Sequence, residues 1–225
     1  MINKIRNYIN KDIISYAHVD ELLDRDYTII YASDTGFIIK DNLVDFIYIS
    51  FSDTEEMKRE LSKKRYDHYL AYDKEIVDFY GDTGKTTNLI QYVYTSKKKF
   101  DIGQYDIRVL DESYADIIKS IYKPLGPGED VLNTIKDKKV IGLFIENELV
   151  GFIGKHPEGC MGMLYVFEEH RGHKYGEVLE KAMINKLIDE NKKIIDEVVE
   201  GNNASFKLQD KLGLVKGEKI IYWLL

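Results

Sequence analysis

Apolar positions in the first hundred residues fall into short runs separated by polar turns. YTIIYAS, GFIIKD and VDFIYIS are β-rich, and the DTG between the first two suits a hairpin turn. Ser52 and Glu55 have the spacing of a capping box before the helical segment EMKRELSKK. HYLAYD and NLIQYVYTS predict two more strands around a short helix, KEIVDFY. The pattern therefore predicts a small α/β unit.

The pattern is sharper in the second half of the chain. YDIRVLD predicts a strand, and the helical segments ESYADIIKSIY and DVLNTIKDK flank the loop PLGPGE. KVIGLFIENELVGFIGKH predicts an apolar hairpin, and GCMGMLYVF predicts a further strand. Leu179, Met183 and Leu187 then recur at every fourth position, which places them on one face of a helix. The strand KIIDEVVEG, the helix ASFKLQDKL and the strand KIIYWLL complete the pattern.

A polar segment, TSKKKFDIGQ, separates the two halves. We therefore predict two domains, one over residues 1–100 and one over residues 101–225. Both halves mix helices and strands, so the fold class is α/β with α+β character.

Composition and charge narrow the classes of partner. The chain has 225 residues, 44% of them hydrophobic and 32% charged, as in ordinary globular proteins. The formal net charge of −7 disfavours a nucleic-acid partner, which would need a basic face. Cys160 is the single cysteine, so no internal disulfide can form. No signal peptide or membrane span is visible, which predicts a cytoplasmic protein with no membrane partner.

A turn with two glycines, RGHKYG, lies between a strand that ends near Val166 and a helix that begins near Tyr175. The N-terminus of a helix offers free backbone N–H groups and the positive end of its dipole, which bind phosphate. Arg171, His173 and Lys174 add positive charge. The turn is therefore either a phosphate cradle or an ordinary loop, and two glycines alone do not decide between them.

Two sequence blocks resemble the GNAT acyltransferase superfamily over roughly residues 104–225. In the first, LYVFEEHRGHKYGEVLEKAM, the residues Val166, Arg171 and Gly176 match the acetyl-CoA signature, whereas Glu168 replaces a proline and Lys174 a glycine. The second, NNASFKLQDKLGL, matches a downstream family block at the following residues: Asn202, Ser205, Leu208, Lys211 and Gly213. The blocks stand in the family's order, and the resemblance favours the cradle interpretation.

The resemblance implies a fold, an activity and a set of site residues. The implied fold is a mixed, largely antiparallel sheet flanked by helices. The implied activity is acyl transfer from acyl-CoA, with acetyl-CoA as the expected donor, to a primary amine in a ternary complex, without a metal. Backbone N–H groups of the strand before the cradle would hold the thioester oxygen. The CoA-binding residues implied are Leu164, Tyr165, Val166, Arg171, Gly172, His173, Lys174, Tyr175, Gly176, Asn202, Ser205 and Gln209.

Gln209 stands where many members of the superfamily have a tyrosine that is thought to protonate the leaving thiolate. A glutamine has no proton of useful acidity. A branch that resembles glycine N-acyltransferase has this glutamine and a similar chain end, so the resemblance points to that branch. The branch also implies that residues 1–100 are a degenerate copy of the catalytic domain.

The sequence offers several candidates for the catalytic residues. We predict Glu158 as the general base, with Leu164 and Val166 contributing backbone donors. His156, Cys160, Glu146 and Glu148 are weaker candidates, because turn glutamates are usually solvated and a lone cysteine is usually buried filler.

Three further expectations complete the sequence interpretation. Substrate contacts are expected around residues 121–128. GDTGKTT (residues 81–87) resembles the end of a P-loop but has Phe79 where the first glycine is required. The chain can be a monomer or a homodimer. Two alternative functions are left open: a non-catalytic protein that binds acyl-CoA or a metabolite, and a scaffold domain that has lost its ligand.

Overall fold

The computed structural model describes residues 1–81, 86–122 and 130–224. The strands are β1 (Tyr27–Ala32), β2 (Gly36–Asp41), β3 (Phe46–Phe51), β4 (Tyr69–Ala71), β5 (Thr86–Val93), β6 (Asp106–Val109), β7 (Val140–Ile145), β8 (Glu148–Lys155), β9 (Met161–Val166), β10 (Ile195–Val199) and β11 (Val215–Leu224). The helices are α1 (Ile2–Ile9), α2 (Ala17–Leu22), α3 (Thr54–Leu61), α4 (Lys74–Tyr80), α5 (Ala115–Ile121), α6 (Val131–Lys136), α7 (Tyr175–Asp189) and α8 (Asn203–Leu212). Short 3-10 turns lie at Asn10–Asp12, Glu112–Tyr114 and Glu168–His170.

The strands form one sheet in the order β1-β2-β3-β4-β11-β5-β10-β9-β8-β7-β6. Two neighbouring pairs, β3 with β4 and β9 with β10, are parallel, and the other neighbours are antiparallel. The predicted fold class, a mixed and largely antiparallel sheet flanked by helices, is confirmed.

The two halves repeat one order of elements. Two helices precede three antiparallel strands, and a helix, a parallel strand, a second helix and a last strand follow, first from α1 to β5 and again from α5 to β11. Each half also gives its last strand to the other, because β11 lies between β4 and β5 while β5 lies between β11 and β10. The halves are interlocked in one sheet, and the domain boundary after residue 100 stays a prediction.

Side-chain alternation along the strands explains the layers. On β2, Phe37 and Ile39 pack with residues of α1 and α2, whereas Ile38 points to the opposite face and packs with α3. In the second half, Leu143 packs with α7 and Phe152 packs with α5 and α6. The sheet therefore has helices on both of its faces.

Two sequence details differ from expectation or lie outside the described parts. The N-terminal cap of α3 is Asp53, whose side chain accepts a hydrogen bond from the backbone N–H of Glu56, and not Ser52. Most of the expected substrate loop (123–128) and residues 82–85 of GDTGKTT lie outside the described residues. Within the described parts, no helix is both long and apolar enough to cross a membrane.

Candidate active site

The turn between β9 and α7 presents a row of unused backbone donors. Gly172 has φ +85°, and Lys174, the N-cap of α7, has φ 64° and ψ 19°. Among the described residues, no hydrogen bond uses the N–H groups of residues 172–176, whereas those of Glu177 and Val178 bond to the carbonyl of Lys174. The first turn of a 15-residue helix thus opens with free donors and the positive end of its dipole.

Lys174 occupies a left-handed conformation that normally favours glycine. The family signature has a glycine at this position. Lys174 therefore adopts the left-handed backbone conformation that a glycine would adopt, although the residue differs. The side chains of the predicted cradle lie at the surface. Arg171 Nε donates to the carbonyl of Val166 at 3.2 Å, and His173 stacks on the Tyr175 ring with centroids 5.4 Å apart.

Strand β9 carries a β-bulge just before this turn. Its register with β8 shifts between Phe152 and Gly154, and Met163 has φ 56°. A bulge leaves one residue without a partner in the ladder and re-aims its neighbours. Leu164, the next residue, is 38% exposed. The bulge thus places unpaired backbone in the stretch predicted to hold the thioester oxygen.

Strands β9 and β10 separate near the same point. They pair in parallel at Met161 and Asp196, and no further pair joins them although both strands continue. At the other end of β9, a Cβ placed on Gly176 would lie 3.9 Å from the side chains of Leu164 and Val166. Strand β9 therefore connects the free N–H groups of α7 to a gap in the sheet.

The second sequence block occupies helix α8. The Asn202 side chain caps the helix by accepting from the backbone N–H of Ser205 at 3.2 Å. Gln209 is 1% exposed and lies beside the buried Glu180 of α7, facing the interior between the two helices. The structure thus brings residues 164–176 together, whereas Gln209 lies in the interior and its predicted contact with CoA stays a prediction.

A cavity of about 190 Å³ lies beside the start of β9 and is lined by residues from both halves of the chain. Met161, Gly162 and Met163 form one wall of this cavity. Glu158, the predicted base, also lines it and is half-buried. Burial raises the pKa of Glu158, and the nearby His156 and His18 reduce that rise. The predicted base therefore lies in a cavity next to the predicted thioester site.

Three cavity residues were missed by the sequence interpretation. His18 on α2 lies between Tyr48 on β3 and Glu197 on β10, with its Nδ1 2.7 Å from Glu197 Oε1 and its Nε2 2.9 Å from the Tyr48 hydroxyl. Burial alone would lower the pKa of His18, but the adjacent Glu197 raises it overall. No local spacing could reveal this contact, because 179 positions separate His18 from Glu197.

Cys160 lies in the same cluster but is not an activated nucleophile. It is 1% exposed, and burial together with the nearby acids raises its thiol pKa well above the usual value. A reactive cysteine has a lowered pKa. Ligand atoms of His18, Cys160 and Glu197 lie within 4.8 Å of one another, an arrangement whose size would also suit a metal ion.

Comparisons with known proteins find a similar family and similar folds. A family described as FR47-like protein matches residues 140–224, which span β7 to β11. A Drosophila protein of known structure superposes with a TM-score of 0.74 at 16% identity, covering 99% of this chain and 95% of that one. An acetyltransferase of the GNAT family from Colwellia psychrerythraea superposes with a TM-score of 0.59 at 11% identity, covering 100% and 96%. The chain has the GNAT fold.

The structural likeness extends over both halves of the molecule. A tandem GNAT protein from the clavulanic acid biosynthesis pathway superposes with a TM-score of 0.50 at 10% identity, covering 99% of this chain and 94% of that one. A comparison with curated protein sequences gives no significant match. The placement near glycine N-acyltransferase stays a prediction.

Proposed function

We propose that this protein is an acyl-CoA-dependent N-acyltransferase that transfers an acyl group, with acetyl as the expected one, to a primary amine. The observation that carries the proposal is the row of free N–H groups at residues 172–176, next to a gap between β9 and β10 and a cavity behind it. The free N–H groups suit the anionic phosphates of a donor, and the cavity suits an acceptor.

The residues present suit the pyrophosphate of CoA. Backbone N–H groups at a helix N-terminus bind phosphate without needing a particular side chain. Only proline would remove a donor, so Lys174 keeps its N–H and adds an ammonium group to the turn. The side chains of Arg171 and His173 are exposed beside it and can approach the phosphates.

The chemistry is a direct attack of the neutral amine on the thioester carbonyl. Backbone donors of Leu164, Tyr165 and Val166 would stabilise the developing oxyanion, and the bulge at Met163 favours this use because it disrupts the ladder there. The carbon–sulfur bond breaks, the amide forms and CoA leaves as a thiol. A thiol of ordinary pKa, about 8.5, is a tolerable leaving group without a dedicated acid.

The residues that line the cavity indicate the chemical class of the acceptor. Its walls include Phe46 and Leu70 from the first half and Trp223 from β11, and its polar side carries the carboxyl groups of Glu158 and Glu197. The described residues that line it include no lysine or arginine to receive a carboxylate. The acceptor class proposed is therefore a primary amine with an apolar or aromatic body and no carboxylate.

Thiol release tests the function. The purified chain is mixed with acetyl-CoA and either phenethylamine or phenylalanine, which differ by one carboxylate, and free thiol and N-acetyl product are both measured. We expect product from phenethylamine and at least about tenfold lower kcat/KM for phenylalanine, since the carboxylate would enter a cavity lined by acids. CoA binding without thiol release from any amine of this class would refute the proposal.

Binding of acyl-CoA without turnover is the second candidate. The observation that favours it is Gln209, which is buried and offers no acidic proton to a thiolate. The same thiol assay separates the two candidates, because a binding protein would retain acetyl-CoA intact in the presence of amine.

A further inference from the structure

A chain of three hydrogen-bonding side chains crosses the junction of the two halves beside the cavity. Tyr48 and His18 come from the first half and Glu197 from the second. The Tyr48 hydroxyl lies 2.9 Å from His18 Nε2, and His18 Nδ1 lies 2.7 Å from Glu197 Oε1. All three line the cavity. The two interlocked halves thus bring a tyrosine, a histidine and a glutamate into line.

The packing around His18 fixes its position and orientation. The ring is 1% exposed, and it contacts the Tyr48 ring edge to face with centroids 5.0 Å apart. The backbone N–H of His18 donates to the Gln91 side chain at 3.2 Å, which anchors α2 on β5. A carboxylate at Nδ1 keeps a proton on that nitrogen, so Nε2 of the neutral ring is left to accept from the Tyr48 hydroxyl.

The charges around His18 favour uptake of a proton. The carboxyl groups of Glu197 and Glu158 stabilise the imidazolium form, and the guanidinium of Arg25 opposes them. The Cys160 thiol lies in the same cluster and stays protonated because its pKa is raised. The Tyr48 hydroxyl also stays protonated, since burial raises its pKa well above the usual value. The net effect is to raise the pKa of His18.

We propose that Tyr48, His18 and Glu197 form a proton relay that deprotonates the acceptor amine. The inference rests on the proposed acyl transfer. Tyr48 accepts a proton from the ammonium while its own proton moves to His18 Nε2, and Glu197 holds the resulting imidazolium. This arrangement follows the logic of a Ser-His-Asp triad, with a tyrosine hydroxyl in place of the serine and no covalent intermediate.

The proton balance closes over one turnover. The relay takes the first proton from the ammonium, and the neutral amine attacks the thioester. The second N–H proton leaves as the amide forms and ends on the CoA thiolate. His18 returns the relay's proton to solvent through Tyr48. One proton is therefore released for each amide formed from an ammonium.

The relay predicts a specific change in the pH profile of acyl transfer. In His18→Gln we expect kcat at pH 7 to fall about 10²- to 10⁴-fold, the usual contribution of a general base. The difference in kcat between His18→Gln and wild type should shrink as the pH approaches the pKa of the amine, because the free amine needs no base. Tyr48→Phe and Glu197→Gln should show the same alkaline recovery. His68→Gln, a change of an exposed histidine in the same half, should behave as wild type.

Two measurements keep this test independent of turnover and of folding. Calorimetric titration with CoA should give unchanged affinity in His18→Gln, since the relay lies away from residues 172–176. An NMR titration of the histidine rings should show a lower pKa for His18 in Glu197→Gln than in wild type. An unchanged pKa in Glu197→Gln would overturn the relay whatever the activity.

The remaining outcomes separate the relay from the function and from a metal. Wild-type turnover with an unaltered pH profile in His18→Gln would overturn the relay and leave acyl transfer standing. CoA binding without turnover in wild type would overturn acyl transfer and the relay together. We expect turnover to survive dialysis against a chelator. Loss of turnover that zinc alone restores would overturn the relay in favour of a metal site at His18, Cys160 and Glu197.

Discussion

Replacing Glu180 with glutamine should make the folded protein less sensitive to alkaline pH. Glu180 is 2% exposed on α7, and burial, reinforced by the nearby Asp196 carboxyl, raises its pKa to about 8. Its Oε1 has no hydrogen-bond partner among the described residues, and neither does Gln209 Oε1 beside it. A glutamine at 180 carries no charge and offers an amide N–H to that orphaned oxygen.

The magnitude follows from proton linkage. Between the unfolded pKa of 4.5 and the folded pKa of about 8, folded Glu180 holds a proton that the unfolded chain has lost. Stability therefore falls as the pH rises through this window, by about 1.4 kcal/mol per pH unit. From pH 5 to pH 7.5 this one group costs the wild type about 3 kcal/mol, and Glu180→Gln should not show that loss.

Urea unfolding at pH 5 and pH 7.5 measures the effect. We expect Glu180→Gln to have nearly the wild-type free energy of unfolding at pH 5 and a higher one at pH 7.5. Asp189→Asn, an exposed change on the same helix, should follow the wild type at both pH values, because exposed charges contribute little. If wild type and Glu180→Gln lose stability in parallel between the two pH values, the buried glutamic acid is not protonated in the folded state.

Three further predictions concern the turn, the core and the cavity. Lys174→Gly should raise the free energy of unfolding by about 0.5 kcal/mol, measured by thermal unfolding, because glycine relieves the left-handed backbone at this position. Lys207→Gly within α8 should lower it by about 1 kcal/mol. Equal losses in the two variants would contradict the turn geometry. Ser50→Ala should lower the free energy of unfolding in urea by about 2–3 kcal/mol, because the Ser50 hydroxyl is hydrogen-bonded to two buried tyrosine hydroxyls and a carboxylate. A loss below about 0.5 kcal/mol would contradict that network. Gly162→Ala should raise the acceptor KM about tenfold at unchanged CoA affinity, because the new Cβ would lie 2.1 Å from Nε2 of His156, which also lines the cavity. An unchanged KM would show that His156 does not contact the acceptor.

The elements that sequence predicts well are those with strong local patterns. The hairpins β1–β2 and β7–β8 combine apolar runs with polar turns, and α7 carries its apolar residues at every fourth position. The turn with free N–H groups was also predictable, because these groups belong to consecutive residues, 172–176. Helices α1 and α2 were missed, since their short apolar pattern lacks the cap and turn signals that mark a helix.

The cavity could not be predicted because its parts are distant in sequence. Tyr48 and His18 come from one half and Glu197 from the other, and they meet in a sheet in which each half places its last strand within the other. Single-sequence periodicity carries no information on that exchange of strands. For Gln209, the motif gave the position in the sequence but not the burial. Its burial beside Glu180 depends on how α7 and α8 pack.

The central claim is that the N–H groups at residues 172–176 bind the phosphates of CoA. Calorimetric titration with CoA and with pantetheine, which lacks the phosphates, tests it on wild type, Gly176→Pro and Gly176→Ala. Proline removes one N–H, whereas alanine keeps it and its Cβ fits at 3.9 Å from the nearest side chains. We expect wild type and Gly176→Ala to prefer CoA over pantetheine, and Gly176→Pro, still folded by circular dichroism, to lose most of that preference. Equal affinity of the wild type for CoA and pantetheine, or full preference in a folded Gly176→Pro, would contradict the account.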